Sequence, residues 1–266
     1  MTLTCFASAK GSPGVTLTAL GFAAARAAAG TPTLLLEADP SGGSLAIRYQ
    51  LGRQPGLITL AAASRHGLNR NEITGHAQEI PGGLAAIVAP ERHDRTAAIL
   101  RADGARLGRF LADLPDVEIV ADCGRLDSET ITSALPSEAD ALYLLARPVA
   151  EEIQPAAALA ATARDSGLTV AWVLIGDKPH DPAEVAEVTR TPVAAVLPDD
   201  ARAAAAMADG RADGRGRRSR LARAIAAFAS EAAMVSAAET THETVATSAT
   251  APDEAKPLAA LTTEAG

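Results

Sequence analysis

A chain of 266 residues is long enough for one large α/β domain and a tail. Hydrophobic residues make up 48% but aromatics only 3%, so the core has to be assembled mainly from Ala, Leu, Val and Ile. The net charge is −8, and the last segment carries −4 of it (Glu239, Glu243, Asp253, Glu254 and Glu264 against Lys256), so charge is a weak guide to partners. Only two cysteines are present, Cys5 and Cys123, which excludes a disulfide framework or a cysteine-rich metal centre and points to a reduced, cytoplasmic setting. No apolar run reaches the roughly 20 residues that span a bilayer. Met1 leads straight into the first strand without a basic and then hydrophobic leader, so secretion is not expected.

In chain order, Leu3–Ala7 reads as a short buried strand. A glycine-rich turn follows, then Thr16–Ala29, a helix of Ala, Leu and Phe with no interior proline, closed by Gly30. Thr33–Glu37 is a second strand, running into Ala38-Asp39-Pro40. Residues 42–82, rich in Gly, Arg, Asn and His, are less regular and are expected to form surface helices near the site. Further strands are expected at Leu84–Val88, Val117–Ala121, Ala141–Ala146, Thr169–Ile175 and Val193–Leu197. Helices are expected at Thr96–Leu114, Glu151–Ser166, Pro182–Thr189 and Ala201–Ala208. This alternation predicts a mostly parallel sheet with helices on both faces. Residues 1–234 read as one domain. Residues 235–266, mostly Ala, Thr, Glu and Pro, cannot bury enough apolar surface to fold and read as a disordered tail.

The chemistry concentrates between the first strand and the first helix. Ala9-Lys10-Gly11-Ser12-Pro13-Gly14-Val15-Thr16-Leu17-Thr18 is a phosphate-binding loop in the required strand–turn–helix context. Such a loop aims backbone N–H groups at phosphate oxygens, a lysine adds a point charge, and a hydroxyl holds magnesium. Here Thr16 stands in the magnesium position, but Val15 stands where the lysine belongs. Downstream, the run Val117–Asp122 is a strand ending in a carboxylate and is followed by Cys123-Gly124.

With these residues the chain resembles the ParA/MinD family of deviant-Walker-A ATPases, as a degenerate member. Lys10, Gly11, Gly14 and Thr16 match the family's loop; Ser12 replaces its second glycine and Val15 its usual lysine. Glu37 and Asp39 resemble the family's acidic pair, Asp39 standing 24 residues after Val15. Asp122 resembles the Walker B aspartate. The stretch from Val193 to Asp200 resembles the last core strand, whose following loop lies against adenine and contains Pro198. The resemblance implies an α/β P-loop NTPase fold and a site for ATP and Mg2+. Its nucleotide contacts would be Lys10, Gly11, Ser12, Pro13, Gly14, Val15, Thr16, Leu17 and Pro198. Thr16, Asp39 and Asp122 would serve magnesium, and Asp39 and Lys10 would take part in catalysis, Lys10 reaching across a dimer to the partner's phosphates.

Loss of a lysine–phosphate contact forfeits about 1.5–3 kcal/mol, or about one to two decades of nucleotide affinity. Hydrolysis should suffer more, because the same ammonium stabilises charge moving onto the leaving group. The family's adenine-reading asparagine is also missing, since Ile175 is followed by Gly176-Asp177. Two functions stay open at this point. One is a pseudo-ATPase that dimerises, recruits a protein partner and positions a cargo in a partition, pilus or secretion system. The other is a slow partition-type ATPase that binds DNA non-specifically as an ATP-dependent dimer. A metabolic P-loop enzyme fits less well, because such enzymes keep the full loop. Arg211, Arg215, Arg217, Arg218, Arg220 and Arg223 precede or enter a helix with Leu221, Ile225, Phe228 and Ala232 at helical spacing. That segment reads as a DNA patch, an amphipathic membrane helix, or a last helix packing its apolar stripe on the sheet. His66, His76, His93, His180 and His242 show no ligand spacing.

Overall fold

The computed structural model describes residues 3–11, 13–68, 70–208 and 219–233. Ser12, the arginines from Arg211 to Arg218 and the tail at 235–266 lie outside the described residues. Among the described residues eight strands form one sheet. They are β1 (Leu3–Ser8), β2 (Thr33–Glu37), β3 (Gln78–Ile80), β4 (Leu84–Ile87), β5 (Glu118–Arg125), β6 (Ala141–Ala146), β7 (Val170–Ile175) and β8 (Val193–Leu197). Their order is β3-β4-β2-β5-β1-β6-β7-β8. Every neighbouring pair is parallel except β3 with β4.

The helices are α1 (Val15–Ala28), α2 (Leu45–Arg48), α3 (Leu57–Ser64), α4 (His93–Ala112), α5 (Ser128–Ser133), α6 (Ala150–Asp165), α7 (Pro182–Thr189) and α8 (Ala201–Ala208). A further helix, α9, covers 220–233. The mostly parallel α/β architecture expected from the alternating elements is the one observed.

Both faces of the sheet are covered, which is why its central strands are nearly unbroken apolar runs. Successive residues of a strand face opposite sides, and the core divides accordingly. Leu3, Cys5 and Ala7 of β1 join a cluster with Leu100, Leu107 and Leu111 of α4 and Leu159 of α6. Phe6, one residue out of phase, joins a second cluster with Ala19, Phe22 and Ala23 of α1. Few aromatics are available, and four of them meet on this second face. The rings of Phe6, Phe22, Tyr143 and Phe228 lie with centroids 4.9–6.4 Å apart, a spacing that adds to simple burial.

Leu221, Ile225, Phe228 and Ala232 of α9 are buried in that cluster, while Arg220 and Arg223 are exposed. The apolar stripe of α9 is therefore committed to the sheet, and the membrane-helix reading of this segment is corrected. Gly21 lets α1 approach α9 closely, since a Cβ there would stand 3.1 Å from Ile225 Cγ2.

Two elements depart from the sequence expectation. β5 does not end at its carboxylate but continues through Asp122 to Arg125. It stays paired with β1 across a register shift between Phe6 and Ser8, and Leu126 N–H then donates to the Ser8 carbonyl at 2.9 Å. β3 was not expected, because its three residues carry two polar side chains and pair only with β4. The irregular stretch after residue 42 supplies α2 and α3, and α2 lies beside the carboxyl edge of β1, β2 and β5.

Candidate functional site

β1 ends at Ser8, and a short turn leads into α1 at Val15. Gly11 (φ 75°) and Gly14 (φ 94°) both take left-handed backbone conformations that favour glycine. Gly14 is the N-cap of α1, and among the described residues no side chain caps the helix. Its carbonyl accepts the N–H of Thr18 at 2.9 Å, opening the helical ladder. The N–H groups of the first turn have no intrahelical acceptor, so the positive end of α1 faces the turn ready for an anion. Glu152, held by the Arg147 N–H at 2.7 Å, lies so near that a Cβ on Gly11 would stand 3.0 Å from its Oε1.

This loop forms one wall of a cavity of about 580 Å3. Gly11, Gly14, Val15, Thr16 and Leu17 line it, facing Asp39, Ser41 and Arg48 after β2, Gly124 and Arg125 of β5, and three alanines of α8. Pro13 is buried and Lys10 is exposed; neither is on the cavity wall, and no ion pair of Lys10 occurs among the described residues. Pro198 follows β8 at the same sheet edge but also stands off the wall. Val15 is 6% exposed and belongs to the apolar cluster of Phe6, Ala19 and Leu45. Its side chain is thus packed into the face beneath the loop, not projected freely into it.

Glu37 and Asp122 are partners on adjacent strands β2 and β5, and each is 1% exposed. Their surroundings differ sharply. Glu37 Oε1 accepts the N–H groups of Ser44 (2.6 Å) and Leu45 (3.0 Å), and Oε2 accepts that of Ala89 (2.9 Å). It thereby ties the start of α2 and the end of β4 to β2. Glu37, which the sequence likens to one of an acidic pair, has its oxygens occupied by backbone donors and, like Asp122, is not on the cavity wall.

Among the described residues the Gly124 N–H donates to Asp122 Oδ1 at 3.2 Å, and the Thr16 hydroxyl lies beside the carboxyl. Its Oδ2 is buried with no hydrogen-bond partner. Burial pushes its carboxyl up to about 7; the nearby Thr16 hydroxyl and the Gly124 N–H oppose this, while the charges of Asp39 and Glu37 add to it. Buried polar groups are almost always paired, so an orphaned carboxylate oxygen beside a helix N-terminus calls for a partner.

Asp39 is half-buried; its Oδ1 accepts the Ser41 N–H at 2.8 Å, making an aspartate turn. The carboxyl group rests directly on Gly124, where an added Cβ would fall 2.0 Å from Asp39 Cγ. Gly124 also has φ 59°, so two independent constraints require glycine there. Next to it, Arg125 is exposed and its Nη2 donates to the Gly11 carbonyl at 2.8 Å, spanning from β5 to the loop.

The donor set fits a magnesium nucleotide. A hard cation wants oxygen ligands, and Mg2+ is held by one or two protein oxygens plus phosphate. The Thr16 hydroxyl and the orphaned Asp122 Oδ2 supply such oxygens, and the open end of α1 suits phosphate. No group of three or more His, Cys, Asp or Glu that could hold a metal by itself occurs among the described residues, and a phosphate-bound magnesium needs none.

Solved structures of similar shape agree with the architecture. MinD from Pyrococcus horikoshii, a septum site-determining protein complexed with Mg-ADP, superposes with TM-score 0.70 at 16% identity, covering 86% of this chain and 95% of that one. The fold is that of the MinD and ParA ATPases. A ParA-family ATPase from Chlorobium tepidum gives TM-score 0.70 at 19% identity over 86% and 97% of the two chains. The cell division ATPase MinD of Pyrococcus furiosus gives 0.67 at 17% over 88% and 100%. No protein-family model and no curated protein matches the sequence. Among the described residues no helix is long and apolar enough to cross a membrane.

Sequence reasoning missed Gly124, Arg125 and Arg48 as parts of the wall. Gly124 was visible as the glycine shortly after the strand carboxylate, whereas the two arginines carry no local signal separating them from surface charges.

Proposed function

We propose that this protein binds Mg-ATP weakly in the cavity at the head of α1 and hydrolyses it negligibly, acting as a degenerate ParA/MinD-like positioning or assembly protein. The observation that carries the reading is one juxtaposition. The N-terminus of α1 opens on the cavity and a buried carboxylate with one unpaired oxygen, Asp122, lies behind its Thr16, while the first helical residue is Val15, a hydrocarbon.

In this reading the first-turn N–H groups of α1 orient the phosphates, and Gly11 and Gly14 let the backbone wrap them. Thr16 and Asp122 would hold magnesium, which when bound would neutralise phosphate charge. Asp39, braced on Gly124, would orient an attacking water. What is missing is the cation that stabilises charge on the leaving oxygen, so binding survives while turnover falls. The likeness to MinD and ParA supports a role in placing a cargo of a partition, pilus or secretion system through a protein partner, with homodimerisation on the nucleotide face. Ile47 of α2, 66% exposed beside that face, is suited to such a contact.

Lys10 favours a second reading. It stands exposed at the loop entrance, where a dimer partner's phosphates could meet it, as in a slow partition-type ATPase that also binds DNA. Steady-state phosphate release separates the two. The expected result is negligible turnover by the natural chain, unchanged in Lys10→Ala. Robust turnover that Lys10→Ala abolishes favours the active ATPase.

A further inference from the structure

Arg125 is unaccounted for by the proposed roles. It follows Gly124 at the end of β5, lines the phosphate-loop cavity, and among the described residues spends one donor, on the Gly11 carbonyl at 2.8 Å. A guanidinium has five N–H donors, so most of its hydrogen-bonding capacity is left for a ligand in the same space. The cavity needs positive charge. Asp39 lines it and Asp122 lies behind Thr16, whereas the loop supplies no cation at Val15. Lys10 is not on the wall. Arg48, half-buried on the α2 side, is the other arginine of the lining.

We propose that Arg125 is the phosphate-binding cation of this site, replacing from the end of β5 the lysine that the β1–α1 loop lacks. The proposal rests on the reading of the cavity as a nucleotide site. Anchored on Gly11, the guanidinium is held at the loop with its planar fork available for two parallel bonds to phosphate oxygens. A lysine at the first residue of α1 reaches the phosphates from within the loop; Arg125 approaches from the neighbouring strand, across the mouth. This placement compensates charge for binding, and it differs from the geometry that serves a leaving group.

Titration calorimetry with Mg-ATP on the full chain tests it, using Arg125→Ala, Arg125→Gln and Arg125→Lys, each checked for an unchanged melting temperature. Arg125→Ala should weaken binding about 10- to 100-fold, the loss of one charge-assisted contact. Arg125→Gln keeps an N–H donor for the Gly11 carbonyl but no charge, and should bind as poorly as the alanine variant. Arg125→Lys keeps the charge and should recover part of the affinity. The natural chain should also lose more affinity than Arg125→Ala as salt rises. In a Val15→Lys background the cost of Arg125→Ala should shrink, because the two cations serve the same phosphates. Full affinity in Arg125→Gln would assign Arg125 to bracing the loop and overturn the proposal. Full affinity in Arg125→Ala overturns it likewise while leaving nucleotide binding intact. No binding by the natural chain at millimolar Mg-ATP removes the nucleotide reading itself, and this inference with it.

Discussion

Asp122→Asn should stabilise the protein at pH 8 and leave its stability unchanged near pH 4, in magnesium-free buffer. The carboxyl group is buried, one oxygen is orphaned, and its pKa rises from the ordinary 3.8 to about 7 on folding. Between those values the folded state binds more proton than the unfolded one, so stability falls as pH rises from about 4 to about 7 and then levels. At 1.36 kcal/mol per pH unit, the ionised group costs the fold on the order of 4 kcal/mol above pH 7. Asparagine removes the titration, so its advantage should grow across that window. Urea denaturation at pH 4.5 and pH 8 measures it. An advantage of the same size at both pH values would show that the burial penalty is not electrostatic. In the proposed reading a bound ligand offsets that cost, and magnesium is the ligand that the adjacent Thr16 hydroxyl suits.

Glu37→Ala should do the opposite and destabilise by about 4 kcal/mol or more, since hydrogen bonds to a charged acceptor contribute about 1.5–3 kcal/mol each. Three backbone donors, from Ser44, Leu45 and Ala89, converge on this buried side chain. Truncation strands all three at once. Loss of a negative charge near Asp122 returns part of the cost without reversing its sign. Glu37→Gln keeps an acceptor for Ser44 and Leu45 but sets an amide NH2 against the Ala89 N–H, so an intermediate loss is expected. Chemical denaturation at pH 7 orders the three proteins, and a loss under about 1 kcal/mol for Glu37→Ala would contradict the anchoring role. The contrast between neighbours is informative: on adjacent strands, one buried carboxylate is satisfied by the fold and the other is not.

That contrast also marks what the sequence could reveal. β1, β2, β4, β6 and β7 were legible within about one residue, because a parallel strand with buried faces must be a short apolar run between breakers. β8 was legible too, although it is an edge strand whose residues are mostly only partly buried. The loop at Gly11–Thr16 was legible from its context between strand and helix. The apolar stripe of α9 was legible from its spacing, and its burial follows from four large or small apolar residues on one helical face. Glu37 was not, because its partners lie 7, 8 and 52 residues away and a carboxylate at a strand end reads equally as ligand or anchor. The extension of β5 was hidden by Gly124, a residue that normally ends a strand but here makes room for Asp39. Arg125 was hidden for a simpler reason: only the pairing of β5 with β1 brings it to Gly11.

The most direct test compares Mg-ATP binding by the natural chain and by Val15→Lys, titrated calorimetrically at equal salt. Val15 is packed at the base of the cavity that it also lines, so a lysine stem can take the valine's apolar place while its ammonium extends into the cavity. The account predicts measurable but weak binding by the natural chain, and binding tighter by about one to two decades in Val15→Lys, the return of one charge-assisted phosphate contact. Equal affinities in two proteins of matching stability would contradict it, and Val15 would then not be the residue that limits this site.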